Sequence, residues 1–187
     1  RNDNGLELGI TTGLVGYWKL DETGNTSTAA DSAGSNNGTL TGFPADPTAS
    51  WVTGTVGGAL TFNGTTQWIV FSNVSFLSFA TATTEKTVTA WIKTTAGNAA
   101  IIGGRSSADN PLFDFVVGFN GVDNNGTGKL SVIVRADNGS GLAYANGANA
   151  INDGNWHFVV TTRNSSKLNQ LYVDGSSTGS ITDGMST

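Results

Sequence analysis

Asn-Gly and Asp-Gly pairs fall at Asn37-Gly38, Asn63-Gly64, Asn120-Gly121, Asn125-Gly126, Asn138-Gly139, Asn146-Gly147, Asp153-Gly154, Asp174-Gly175 and Asp183-Gly184. Such pairs readily supply the positive φ of tight hairpin and bulged turns, so they commit the chain to short antiparallel elements. Between them the apolar residues alternate or form short runs, and no segment shows a convincing helical period. The pattern predicts an all-β, antiparallel domain. Its strands are expected at Leu14–Leu20, Ala59–Phe62, Gln67–Phe71, Thr87–Lys93, Ala99–Gly103, Leu112–Phe119, Leu130–Arg135, Trp156–Arg163 and Leu168–Asp174, with a short β-segment at Thr39–Leu40. Nine strands suit a two-sheet sandwich, and 187 residues suit one such unit.

Alternation assigns faces. Phe113, Phe115, Val117 and Phe119 share a side and are the expected core, while Val88, Ala90 and Ile92 leave Trp91 on the opposite side of their strand. Trp156, Phe158 and Val160 alternate with His157, Val159 and Thr161, which marks a central strand with apolar groups on both faces. His157, the single histidine, is therefore expected in or near the core as a hydrogen-bonding group rather than as a catalyst. Residues 1–13 read as a linker or tail that could also pair as an edge strand, and 22–57 as long polar loops around the short segment.

Charged residues make up 12% of the chain, about half the usual share, so the surface is polar without being ionic. Nine Lys and Arg against fourteen Asp and Glu give a net charge of −5 with no basic cluster, which argues against a nucleic-acid partner. There is no cysteine for a disulfide or thiolate site, and no apolar run approaches a membrane span. The sequons at Asn25, Asn37, Asn63, Asn73, Asn125, Asn138 and Asn164 are of a kind that arises by chance in so Asn- and Thr-rich a chain. This composition fits an exported microbial surface protein.

Four segments, "GLVGYWKLDETGNTSTAADSAGSNNGTL", "GTVGGALTFNGTTQWIVFS", "KTVTAWIKT" and "INDGNWHFVVTTRNSSKLNQLYVDG", resemble in order the successive motifs of LamG-like domains of the concanavalin A-like lectin/glucanase superfamily. The resemblance spans roughly 13 to 180 and implies a jelly-roll sandwich over 14–187. It also implies a further closing strand after the Tyr-Val-Asp-Gly hairpin; the sequence "ITDGMST" does not match it. The expectation is a domain incomplete at its C-terminus, or one completed by a strand donated from a neighbouring chain.

The superfamily includes glucanases, which place two carboxyl groups about 5 Å apart from an E-x-D-x-x-E strand. Glu7, Glu22 and Glu85, the three glutamates, each lack that continuation, and no G-x-S-x-G elbow exists, so no catalytic residue is expected. The favoured function is non-catalytic recognition of carbohydrate or a surface glycoprotein, in a secreted or cell-surface setting without membrane insertion. A structural jelly roll of a cell-surface or virion assembly, with strand pairing between chains, is the alternative, and a glycoside hydrolase ranks behind both. Sugar rings dock on aromatics that the core does not claim, and the candidates are Trp51, Tyr144, Trp91 and Trp68; Trp51 and Tyr144 stand in loop-like surroundings. Calcium is the candidate cofactor: Asp21, Glu22, Asp31, Asn36 and Asn37 gather hard oxygen donors in one loop region, and many superfamily relatives bind the ion.

Overall fold

The computed structural model describes residues 12–72, 85–104, 112–119, 126–135 and 142–184. Most of the expected tail, the turns at Asn120-Gly121 and Asn138-Gly139, and the sequons at Asn73, Asn125 and Asn138 lie outside these residues. Every described sheet is antiparallel, and the one described helix is a 3-10 turn at Thr48–Ser50. The chain divides into two compact units, residues 1–76 and 77–187.

The first unit contains strands β1 (Thr28–Ala29), β2 (Gly38–Thr41), β3 (Trp51–Thr53), β4 (Gly58–Leu60) and β5 (Trp68–Phe71). They form a three-stranded sheet of order β1-β2-β5 and the hairpin β3-β4. Ala29, Leu40 and Leu60 are its buried centre, with Trp18, Leu20, Phe43, Trp51 and Ile69 packed around them. The strand expected at Leu14–Leu20 is absent. Trp18 makes only an isolated bridge to Asp31, the backbone N–H of Tyr17 donates to Asp31 Oδ1 at 2.9 Å, and Leu20 turns left-handed at φ 54°. Hydrogen bonds to a side chain replace a ladder here, so apolar alternation misreads the segment.

The second unit is a sandwich of two four-stranded sheets. β6 (Lys86–Lys93), β11 (Trp156–Arg163), β12 (Leu168–Val173) and β13 (Ser176–Thr182) form one, ordered β13-β12-β11-β6. β7 (Ala99–Gly104), β8 (Leu112–Val117), β9 (Lys129–Arg135) and β10 (Leu142–Ala150) form the other, ordered β10-β9-β8-β7. Phe113, Phe115 and Val117 face Val134, Val132 and Leu130 across the β8-β9 ladder, and all six are buried. Val159 and Leu171 are buried in the other sheet. Each such side chain, taken from water, contributes about 1.5–3 kcal/mol.

Trp51 lies in β3 and Tyr144 in β10, not in the loops expected for them. β10 and β13 escape an apolar-alternation reading because small residues build them. The N–H of Ala148 donates to Thr178 Oγ1 at 2.8 Å, and a Cβ on Gly179 would stand 2.5 Å from the carbonyl oxygen of Asn146. The edges of the two sheets meet there only because that side chain is missing.

A buried polar cluster fixes the end of β13. Arg163 donates to Asp183 from Nε (2.7 Å) and from a terminal nitrogen (3.0 Å), and Asn169 Nδ2 donates to the same carboxylate at 2.8 Å. Arg163, Asn169 and Asp183 are each at most 3% exposed. Lys86 sits opposite Arg163 in the β6-β11 register, and burial, then the neighbouring guanidinium, lower its ammonium pKa to about 8.

Candidate functional site: the outer aromatic face of the β6-β11-β12 sheet

Strand alternation separates two faces on β6, β11 and β12. Val88, Ala90 and Ile92 share the partly buried side of β6, and Val159, Thr161 and Arg163 the buried side of β11. The opposite side carries Thr87, Thr89, Trp91 and Lys93 on β6, Trp156, Phe158, Val160 and Thr162 on β11, and Gln170 and Tyr172 on β12. Register then brings the rings together. Trp91 is opposite Phe158, with centroids 5.3 Å apart and planes at 47°, and Tyr172 is opposite Val160 on the next strand. Trp91 is 45% exposed, while Trp156, Phe158 and Tyr172 are each half-buried. The outcome is a Trp91–Phe158 pair with Trp156 and Tyr172 on the same face and a hydroxyl- and amide-bearing border, able to take a flat partner that is apolar on one face and polar at its rim.

The other expected aromatics go elsewhere. Trp51 packs on the first unit's core and its indole N–H donates to the carbonyl of Thr26 at 3.2 Å. Tyr144 is half-buried and meets Phe119 edge-on at 5.1 Å, beside an open groove lined with Leu142, Ala143, Ile181, Thr182 and Gly184. Trp68 is 50% exposed on β5, next to exposed Val70, on a different unit from Trp91. Of the four candidates, Trp91 combines 45% exposure with a ring contact, to Phe158, on a sheet face that also carries Trp156 and Tyr172. Sequence reasoning read Trp156 and Phe158 as one apolar face of a central strand rather than as ligand contacts, and did not name Tyr172, although the two-residue period that set Trp91 apart also applies to them.

His157 bridges two carboxylates at one end of this sheet. Nδ1 lies 2.8 Å from Asp174 Oδ2 and Nε2 lies 3.2 Å from Asp153 Oδ1, and the ring is 16% exposed. Asp174 also accepts the N–H of Phe158 at 2.9 Å, and Asp153 that of Asn155 at 2.8 Å. The hydrogen bond to Asp174 raises the imidazole pKa against the opposing effect of burial, and Asp153 adds to the rise. Asp174 is lowered by His157 and by the Phe158 N–H, and Asp153 is lowered to about 2, first by the backbone and side chain of Asn155 and then by His157. With an acceptor on each nitrogen, the favoured ring is an imidazolium donating twice, which has no lone pair left to act as a general base. The hydrogen-bonding role expected for His157 is thus observed; its two acid partners become visible only with the hairpin registers.

The acidic loop is organised by backbone hydrogen bonds. Asp31 accepts from the N–H groups of Tyr17, Ala33 and Asn36, and Asn37 Oδ1 accepts from that of Asp31. Burial raises the Asp31 carboxyl, but these N–H donors outweigh it and hold the group below its ordinary value. The Asn36 side-chain amide donates to the carbonyl of Val15, and Glu22 Oε1 accepts from the N–H of Ala30. Glu22 Oε2 is buried with no hydrogen-bond partner, and Asp21 is exposed. Among the described residues no three acidic, histidine or cysteine side chains converge as a cation cage.

Two stacked four-stranded antiparallel sheets define a β-sandwich. A family model described as the concanavalin A-like lectin/glucanases superfamily, of laminin G type, matches residues 62–187, and the chain belongs to this family. Among solved structures, the mouse laminin alpha1 chain, domains LG4-5, is similar at 20% identity with a TM-score of 0.44. The match covers 56% of this chain, which spans 25% of that one. No curated protein matches. No helix among the described residues is long and apolar enough to cross a membrane.

Proposed function

We propose that this chain is a non-catalytic recognition module that binds carbohydrate, free or on a surface glycoprotein, through the outer face of β6, β11 and β12. The observation that carries the reading is Trp91, 45% exposed and braced by Phe158 on a rigid sheet. A stacked sugar gains apolar contact without ordering a mobile loop, and that preorganisation favours binding. Low charge and the Gly-, Thr- and Asn-rich composition support a secreted or cell-surface setting and a microbial source. The cation expectation retains Glu22 and Asp21 as donors, since backbone N–H groups occupy Asp31. The test is a glycan array probed with the intact chain and with Trp91→Ala and Trp51→Phe. Glycan signals lost in Trp91→Ala and kept in Trp51→Phe are expected; an array without signal sinks the reading.

A second reading, a structural module that pairs strands between chains, is favoured by β5. Among the described strands β5 pairs only with β2, and it exposes Trp68 and Val70. A concentration-dependent oligomer in light scattering, abolished by Val70→Pro, would support it.

A further inference from the structure

We propose that the ligand of the β6-β11-β12 face is an uncharged, extended polysaccharide whose pyranose rings lie across the strands, from Trp91 over Phe158 to Tyr172. This rests on the reading of the face as a carbohydrate site and adds the chemical class of ligand.

Charge comes first. Among the strand residues on this face, Lys93 is the one charged side chain; the others are Thr87, Thr89, Thr162, Gln170, Val160, Leu168 and the rings. A sulfated or uronic-acid chain needs several cations to offset the desolvation of its anions, and the net charge of −5 repels a polyanion at long range. Hydroxyl and amide side chains instead offer both donors and acceptors, which is what neutral sugar hydroxyls require.

Ring placement comes second. Adjacent strands stand about 4.8 Å apart and residues rise about 3.4 Å along each, so Trp91 and Tyr172, two strands and two residues apart, are separated by roughly 12 Å. Consecutive rings of an extended glycan can bridge that distance, with Phe158 beneath the middle. A compact monosaccharide covers one ring and leaves the strip half used.

The test is affinity gel electrophoresis of the full chain through gels containing a neutral polymer (mixed-linkage β-glucan, galactomannan or hydroxyethylcellulose) or an anionic one (heparin or alginate). Trp91→Ala, Tyr172→Ala and Lys93→Ala are run alongside, with thermal melts to confirm that each variant is folded. Retardation is expected in at least one neutral gel, unchanged between roughly 50 and 500 mM NaCl. Trp91→Ala should weaken it about tenfold or more, and Tyr172→Ala should weaken it for long oligomers while sparing disaccharides. Retardation by anionic polymers alone, lost in high salt and in Lys93→Ala, overturns the ligand class while leaving the carbohydrate site standing. Neutral retardation indifferent to Trp91→Ala, or no retardation by any polymer, overturns the site itself.

Discussion

Asp183→Ala removes the carboxylate that Arg163 meets with two hydrogen bonds and Asn169 with one, in a cluster at most 3% exposed. The buried guanidinium then loses the Asp183 carboxylate, and losing one partner of such a pair costs about 3–5 kcal/mol. Asn169 Nδ2 keeps the carbonyls of Lys167 and Ile181, so its share of the loss is small. Domains of this kind have about 5–15 kcal/mol in total, so the variant should be visibly weakened. Urea unfolding followed by tryptophan fluorescence gives the change from the shift in midpoint at constant slope. Arg163→Met combined with Asp183→Leu removes both charges and is expected to lose less than Asp183→Ala alone, because no buried ion is orphaned. A loss below about 1 kcal/mol for Asp183→Ala would refute the claim that this pair is buried and coupled.

His157 is the single histidine, so its proton NMR titration is unambiguous; the midpoint is expected above 6.5, and one below it contradicts the two-carboxylate clamp. Its raised pKa gives stability that is complete below the unfolded value and lost as pH rises through the folded one. Asp153 and Asp174, both lowered, give stability present above their unfolded values and lost as pH falls. Thermal melts should therefore show a decline in stability from pH 6.5 upward that His157→Gln abolishes. Gly118 stands at φ 88°, and a Cβ there would meet the Gly97 carbonyl; Gly118→Ala is expected to cost more than about 1 kcal/mol in the same urea assay. With Asp31 satisfied by backbone N–H groups and Glu22 and Asp21 left as donors, added calcium should raise the melting temperature and EDTA reverse the rise; a melting temperature indifferent to both refutes the cation site.

The strands built from bulky residues were legible. β6, β8, β9, β11 and β12 alternate Val, Ile, Leu and aromatics against polar residues, and the hydrophobic effect enforces that period. β10 and β13 were not, since "AYANGANA" and "SSTGSIT" place small residues where two backbones approach, and glycine in sequence reads first as a turn. The same blind spot left Tyr144 in an expected loop. Asp174-Gly175 did form the anticipated hairpin turn, with φ of 50° and 82°. Trp91 was placed correctly on the face opposite Val88 by alternation, but its company was not: Phe158 and Tyr172 join it through strand order, which local periodicity does not encode. Asp174 likewise reaches His157 only through the β11-β12 register.

The central claim, that the outer face of β6-β11-β12 is the recognition surface, is most directly tested by the indole N–H resonances of the five tryptophans during titration with a β-glucan oligosaccharide. Trp91 and Trp156 should shift in a saturable manner while Trp18 and Trp51, hydrogen-bonded to Asn36 and Thr26, stay put. Shifts confined to Trp51 or Trp68 would place the surface elsewhere and contradict it.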